Sequence, residues 1–257
     1  MKHFLIAAIA GSLCLSFVKE KPFTPPGTIQ ITETLFADET EVSNFCWREY
    51  EFWTQSFYGA NSKEHLATLP DTLVWREKLA FNEPYVQFYY RHPAYKDYPV
   101  VGISYEQAQA FCKWRTERVK TFLTLIKDFK HQNIEYRLPT KEEWEKLAES
   151  STRFLSNNGK NKKGLYQLNF ISSDTSEIKG PPYPDVTAPV HSYWKNHMGL
   201  YNLLGNVAEM VEEKGICKGG SWRNRLEQCR VGKDQQYTKA ESWVGFRCVC
   251  VVKKNEI

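Results

Sequence analysis

The 257-residue chain has no Cys-x-x-Cys, no His-x3-His and no His-x-Glu pair, so neither thioredoxin-like redox chemistry nor a common zinc-site spacing is encoded. Its 14 Gly and 12 Pro are too few for a low-complexity or collagen-like chain. Charge of one sign is also scarce: 34 Lys plus Arg against 30 Asp plus Glu leave only +4. The longest basic run, Lys160 to Lys163, is broken by Asn161, which argues against a nucleic-acid footprint. Beyond the N-terminus no apolar run approaches the roughly twenty residues that cross a bilayer. With 42% hydrophobic and 25% charged residues, disorder is excluded and the chain can bury one sizeable core or at most two modest ones.

Aromatic residues are the abundant class. Eight Trp, 14 Tyr and 15 Phe in a chain of mean hydropathy −0.54 indicate a loop-rich fold pinned by large rings. At the N-terminus, Lys2 precedes an uncharged apolar stretch from Phe4 to Val18, and Lys19, Glu20 and Lys21 follow it. This is the pattern of a secretory signal over residues 1–21, with an uncleaved anchor as the alternative. Lipidation of Cys14 is a further alternative, although Leu13 stands where small residues precede a lipid-modified cysteine. The expectation is an exported domain over residues 22–257, placed in the periplasm, cell envelope or medium. Removal of Cys14 leaves Cys46, Cys112, Cys217, Cys229, Cys248 and Cys250, an even set that reads as a disulfide framework with fifteen connectivities open.

Period-two alternation over Thr28–Thr32 predicts a strand, and apolar spacing over Glu41–Tyr58 predicts an amphipathic helix. The face of that helix bearing Val42, Phe45, Cys46, Phe52, Trp53 and Phe57 is expected to be buried. Pro70, Pro84 and Pro93 break residues 61–97 into short pieces. Ser104 with Gln107 and Thr140 with Glu143 are capping boxes, predicting helices from Tyr105 to about Lys127 and from Thr140 to about Glu149. Loops and short strands follow from Ser150. No linker, repeat or shift in composition divides residues 22–257, so a single α+β domain is the economical expectation.

Several ordered phrases carry more specific information. They are Glu41-Val42-Ser43-Asn44, then Tyr98-Pro99-Val100-Val101-Gly102-Ile103-Ser104 with Phe111-Cys112-Lys113-Trp114, then Arg137-Leu138-Pro139-Thr140-Lys141-Glu142-Glu143-Trp144. Asn202-Leu203-Leu204-Gly205-Asn206-Val207-Ala208-Glu209-Met210, Lys218-Gly219-Gly220-Ser221-Trp222-Arg223 and Gly245-Phe246-Arg247-Cys248 complete the series. Together they resemble the formylglycine-generating enzyme, or sulfatase-modifying factor, family over most of the chain. The resemblance implies a loop-rich α+β fold related to C-type lectins and, for authentic members, copper-dependent oxidation of a sulfatase cysteine to formylglycine. That chemistry uses two cysteines, with four residues between them, shortly after the Gly-Gly-Ser-aromatic phrase.

Here the segment after Trp222 offers Cys229 alone. Counted forward from Ser221, Cys229 falls near the second active position and Asn224 at the first. Counted back from Cys248, Cys229 matches a structural cysteine instead. Either register removes a thiolate from the two-sulfur site that suits Cu(I). The resemblance further implies a Cys112–Cys248 disulfide. Cys217 and Cys229 flank the Gly-Gly turn and suggest a second bond, which leaves Cys46 with Cys250. Asn202, Gly205, Val207 and Glu209 match the family's calcium ligands, the alternative being a turn closed by hydrogen bonds from Asn206 and Glu209. Asn169 and Phe170 match half of a second calcium site, with only Asp185 nearby to complete it. Arg137 and Trp144 are expected to support the fold, the Arg by donating to buried carbonyls and the Trp by filling the core. The related iron-dependent sulfoxide synthases fit less well, since the six His are scattered.

Two functions remain in view. One is a non-catalytic binding or scaffold module of the cell envelope with a protein or glycan partner, no nucleic acid, and membrane contact only through the N-terminal segment. Family members without the cysteine pair occur in bacterial gliding and secretion machinery, and the aromatic-rich helix is similar to theirs. The other is a formylglycine-generating oxidoreductase.

Overall fold

The computed structural model describes residues 23–76, 82–125, 132–171 and 186–254. The expected signal segment with Cys14, and Asp185, lie outside the described residues. The first half of the chain runs β1 (Thr28–Gln30), β2 (Leu35–Asp38), α1 (Asn44–Tyr58), α2 (Lys63–Leu66), α3 (Glu83–Phe88) and α4 (Tyr105–Leu123). After β3 (Gln132–Arg137) and α5 (Lys141–Ala148) come five short strands: β4 (Ala208–Met210), β5 (Ile216–Lys218), β6 (Asp234–Gln236), β7 (Val244–Gly245) and β8 (Val249–Lys254). Much of the intervening chain is turn and 3-10 helix, as the aromatic-rich, loop-rich composition implies.

Local signals set the helix starts. The Ser104 hydroxyl accepts from Gln107 N at 3.2 Å while Gln107 Oε1 accepts from Ser104 N at 2.7 Å, and Thr140 and Glu143 make the same reciprocal pair. Ser43 accepts from Cys46 N at 3.3 Å, which places the start of α1 three residues later than the apolar spacing suggested.

Two four-stranded sheets frame the domain. The first has the order β1-β2-β8-β3 and is antiparallel throughout, so β8 is central and Cys250 lies opposite both Phe36 and Tyr136. The second has the order β6-β5-β4-β7 and pairs β4 with β7 in parallel. One core, with Phe36, Trp47, Phe111, Ile134, Tyr136 and Phe246, joins α1 and α4 to the first sheet. A second, with Trp144, Leu147, Phe154, Leu200, Leu203 and Leu204, surrounds α5.

Helix α1 buries a different face from the one the apolar spacing indicated. Asn44, Trp47, Glu51 and Thr54 face inward, whereas Phe45, Phe52 and Phe57 are 51%, 69% and 68% exposed. Most of the inward polar atoms are hydrogen-bonded: Asn44 donates from Nδ2 to Tyr89 O at 3.1 Å and Tyr95 O at 3.0 Å, and its Oδ1 alone is left without a partner. Glu51 accepts from the Tyr90 hydroxyl and from Arg91 at 2.7 Å, and the Thr54 hydroxyl donates to Tyr50 O at 2.8 Å. Trp47 stacks on Phe111 with centroids 5.4 Å apart and donates from Nε1 to Thr68 O at 2.8 Å. Hydrogen-bonded polar groups can occupy an inner face as well as apolar ones, which hydrophobic spacing alone does not register.

Candidate functional site

The Gly219-Gly220 turn, the loop from Asn202 to Val207 and Cys229 meet at the end of β5. Gly219 and Gly220 have φ of 92° and 72°, in the left-handed region that favours glycine. A Cβ on Gly219 would strike the Leu203 carbonyl oxygen, and one on Gly220 would sit 2.6 Å from Cys229 Sγ. Both glycines are therefore needed for the chain to lie flat against the thiol and the loop. Ser221 is buried beside them and donates from its hydroxyl to Asn224 Oδ1 at 2.7 Å. Trp222 N donates to Asn206 O at 2.8 Å, and its indole faces Trp75 with centroids 6.1 Å apart.

Cys229 ends a 3-10 turn over Leu226–Gln228 and is fully buried in the second core. Burial pushes its thiol up to about 12, so it is a neutral thiol at physiological pH. Asn224, five positions before it with four residues between them as in the family's pair, is an amide engaged with Ser221. Cys217 is no substitute partner. It lies on β5 in the first core, its Sγ 3.6 Å from Gln235 O, and burial followed by the nearby Asp234 charge raises it to about 12 as well. The donor set thus does not fit a two-thiolate copper site, which needs two ionised sulfurs converging on one point.

All six cysteines beyond Cys14 are free thiols in the structure. The expected Cys217–Cys229 bond is not formed, because the two side chains belong to different cores. Nor is Cys46–Cys250: Cys46 is exposed on α1 and Cys250 is buried in the central strand β8. Cys112 and Cys248 are brought together, with their Sγ atoms 3.5 Å apart across buried faces of α4 and the strand region, as unbonded thiols.

The expected calcium ligands form a buried polar network of a different kind. Both oxygens of Glu209 accept from Arg247, at 2.6 Å from Nη2 and 2.7 Å from Nε, and one also accepts from Trp144 Nε1 at 2.7 Å. Arg247 also donates to Asp38 O at 3.0 Å and Tyr201 O at 2.7 Å. Asn202 and Asn206 donate from Nδ2 to Glu41, at 3.2 and 2.8 Å, and Asn169 donates from Nδ2 to Asn206 Oδ1 at 3.2 Å. A dication beside Glu209 would face the Arg247 guanidinium, which already neutralises the set's one carboxylate. Asn202, Gly205, Val207 and Glu209 accordingly do not fit a calcium site, and the hydrogen-bonded alternative describes them. Within this network burial pushes the Glu41 carboxyl up to about 8, opposed by Arg247 and reinforced by Glu209.

Neither Glu41 nor Arg247 stands out from sequence as a site residue. Both lie in phrases that carried the family resemblance, but their junction with Glu209 spans the fold and has no local spacing. Arg137, by contrast, does what its sequence context suggested. It donates to Leu138 O at 3.0 Å and makes a two-point pair with Glu143 at 2.6 and 2.7 Å, while Trp144 is fully buried.

A mixed α+β domain with short strands, a glycine turn laid on a cysteine, and a buried Glu-Arg pair is the class these observations define. Residues 6–252 match the model of the sulfatase-modifying factor enzyme 1-like domain, and the chain belongs to that family. It is 24% identical over 241 residues to the inactive C-alpha-formylglycine-generating enzyme 2 of Mus musculus, covering 82% of this chain and 67% of that protein. It is also 26% identical over 187 residues to the serine/threonine-protein kinase pkn1 of Chlamydia caviae, covering 63% of this chain and 25% of that one. The chain thus spans a quarter of the chlamydial relative's length. The crystal structure of CarF shares the fold at a TM-score of 0.53 and 18% identity, over 88% of this chain and 96% of that one.

Proposed function

We propose that the chain is an exported, non-catalytic member of its family that serves the cell envelope as a binding or scaffold module. The observation that carries this reading is the state of Cys229: one neutral, packed thiol where the family's oxidation needs two thiolates. The naming of the mouse relative as inactive is in keeping with it. Exposed Phe45, Phe52 and Phe57 on α1 add apolar surface of the kind that contacts partners. Export rests on the N-terminal apolar segment, and an oxidising compartment would join the facing Cys112 and Cys248 thiols. A cysteine-type sulfatase co-expressed with this chain should retain its cysteine, as judged by mass spectrometry of the sulfatase. Formylglycine appearing only when the chain is present would overturn the reading in favour of the oxidoreductase.

A further inference from the structure

Helix α1 (Asn44–Tyr58) turns a patterned stripe toward solvent. Phe45 and Phe52 are 51% and 69% exposed, and their seven-residue spacing sets them within about 20° of one line along the helix. Arg48 and Glu49 occupy the turn between the two rings, about 50° to either side of that line. The stripe therefore has a ring at each end, a cation on one flank and a carboxylate on the other. A groove of about 550 Å³ lies along it, walled on the far side by Arg91, Pro93 and Lys96.

The inward side of α1 is spent on the core, through Asn44, Trp47, Glu51 and Thr54. The outward side is not matched within the chain. Arg48 donates from Nη1 to Arg91 O at 3.4 Å, and among the described residues neither Arg48 nor Glu49 forms an ion pair. They do not face each other, because neighbouring residues on a helix point about 100° apart. Arg91 and Lys96 are already engaged, with Glu51 at 2.7 Å and Asp97 at 3.9 Å. The charges left to recognise an occupant are thus one guanidinium and one carboxylate, side by side between two rings.

Such an occupant must bring apolar contact for each ring, a carboxylate opposite Arg48 and a cation opposite Glu49. A second α1 brings all of them. With two helices parallel and related by a two-fold axis along their length, the two Phe45 rings meet, the two Phe52 rings meet, and each Arg48 lies against the second copy's Glu49. The antiparallel arrangement sets Arg48 against Arg48 and Glu49 against Glu49, and juxtaposed like charges oppose it. We propose that the outward stripe of α1 is a self-association face, through which two copies of this chain pair with their α1 helices parallel. The contact is one helix face, smaller than the roughly 1,200–2,000 Å² of a standard interface, so its dissociation constant is expected on the order of 10–100 µM. The pairing goes beyond the binding-module reading and uses no residue near Cys229. It stands whether or not the chain is catalytic.

Sedimentation velocity of the full chain from about 1 to 500 µM tests it, with reductant present so that exposed Cys46 does not link copies covalently. A reversible monomer–dimer equilibrium is expected. At about 1 µM the chain is monomeric, so unfolding measured there reads α1 without its partner. Phe45→Ser with Phe52→Ser should raise the dissociation constant about tenfold or more. Arg48→Glu alone and Glu49→Arg alone should each weaken pairing about tenfold, since four like charges then meet, whereas the two together should restore it to within about threefold. An equimolar mixture of the two single charge variants should form a heterodimer more readily than either variant pairs with itself. All these side chains lie on the outward side of α1, and circular dichroism checks that each variant keeps its fold. A monomer at every concentration, a dimer indifferent to the Phe and charge variants, or a double charge swap no better than the single ones would overturn the proposal.

Discussion

At the scale of single residues, buried charge decides what the conserved-looking phrases of this sequence can do. Glu41 holds its proton in the folded chain up to about pH 8, whereas in the unfolded chain it ionises near the ordinary value of 4.5. The folded state thus binds the extra proton, so this contribution is full below about pH 4.5 and is lost as the pH rises toward 8. Its size is at most about 5 kcal/mol, and urea unfolding at a series of pH values reads it directly. Glu41→Gln should flatten the decline between pH 5 and 8, whatever it does to absolute stability. Glu209 gives a second prediction. With its carboxylate held by Arg247, the melting temperature should be the same in calcium and in chelator, and a rise of several degrees in calcium would place a cation there after all. Glu209→Ala should cost about 3–5 kcal/mol in either medium, because it leaves a buried guanidinium unpaired.

At the scale of elements, the starts of α4 and α5 were legible because a capping box is a local pattern: four consecutive residues contain both partners. The orientation of α1 was not. Its two sides offer an apolar stripe with Phe45 and Phe52 and a mixed stripe with Trp47, Glu51 and Thr54, and the mixed one is buried through bonds to residues tens of positions away. Trp47→Ala should therefore cost about 3–5 kcal/mol, whereas Phe45→Ser with Phe52→Ser should change stability by no more than about 1 kcal/mol. Thermal or chemical unfolding of the two variants measures the contrast, and comparable losses would mean that the Phe stripe is covered in the native protein. Cys217 and Cys229 are kept apart for a related reason. Cys217 and Cys229 are close in sequence, yet the Gly219-Gly220 turn sends the chain from one core to the other between them.

At the scale of the whole molecule, the family and its α+β architecture were readable because widely separated phrases recur in a fixed order, and the family match over residues 6–252 bears this out. The candidate site was readable only as a deficit, the single cysteine after Trp222. How that cysteine is packed, and how Glu41, Asn202, Asn206, Glu209 and Arg247 close into one network, depends on loops from both halves of the chain meeting in space. In the resulting arrangement the loop around Cys229 and Glu209 is filled by hydrogen bonds and packing, while Phe45, Phe52 and Phe57 face outward. The most direct test is turnover. The purified chain should leave a sulfatase-type cysteine peptide unchanged by mass spectrometry, even with copper, oxygen and reductant supplied; copper-dependent conversion to formylglycine that disappears on Cys229→Ser would contradict the account.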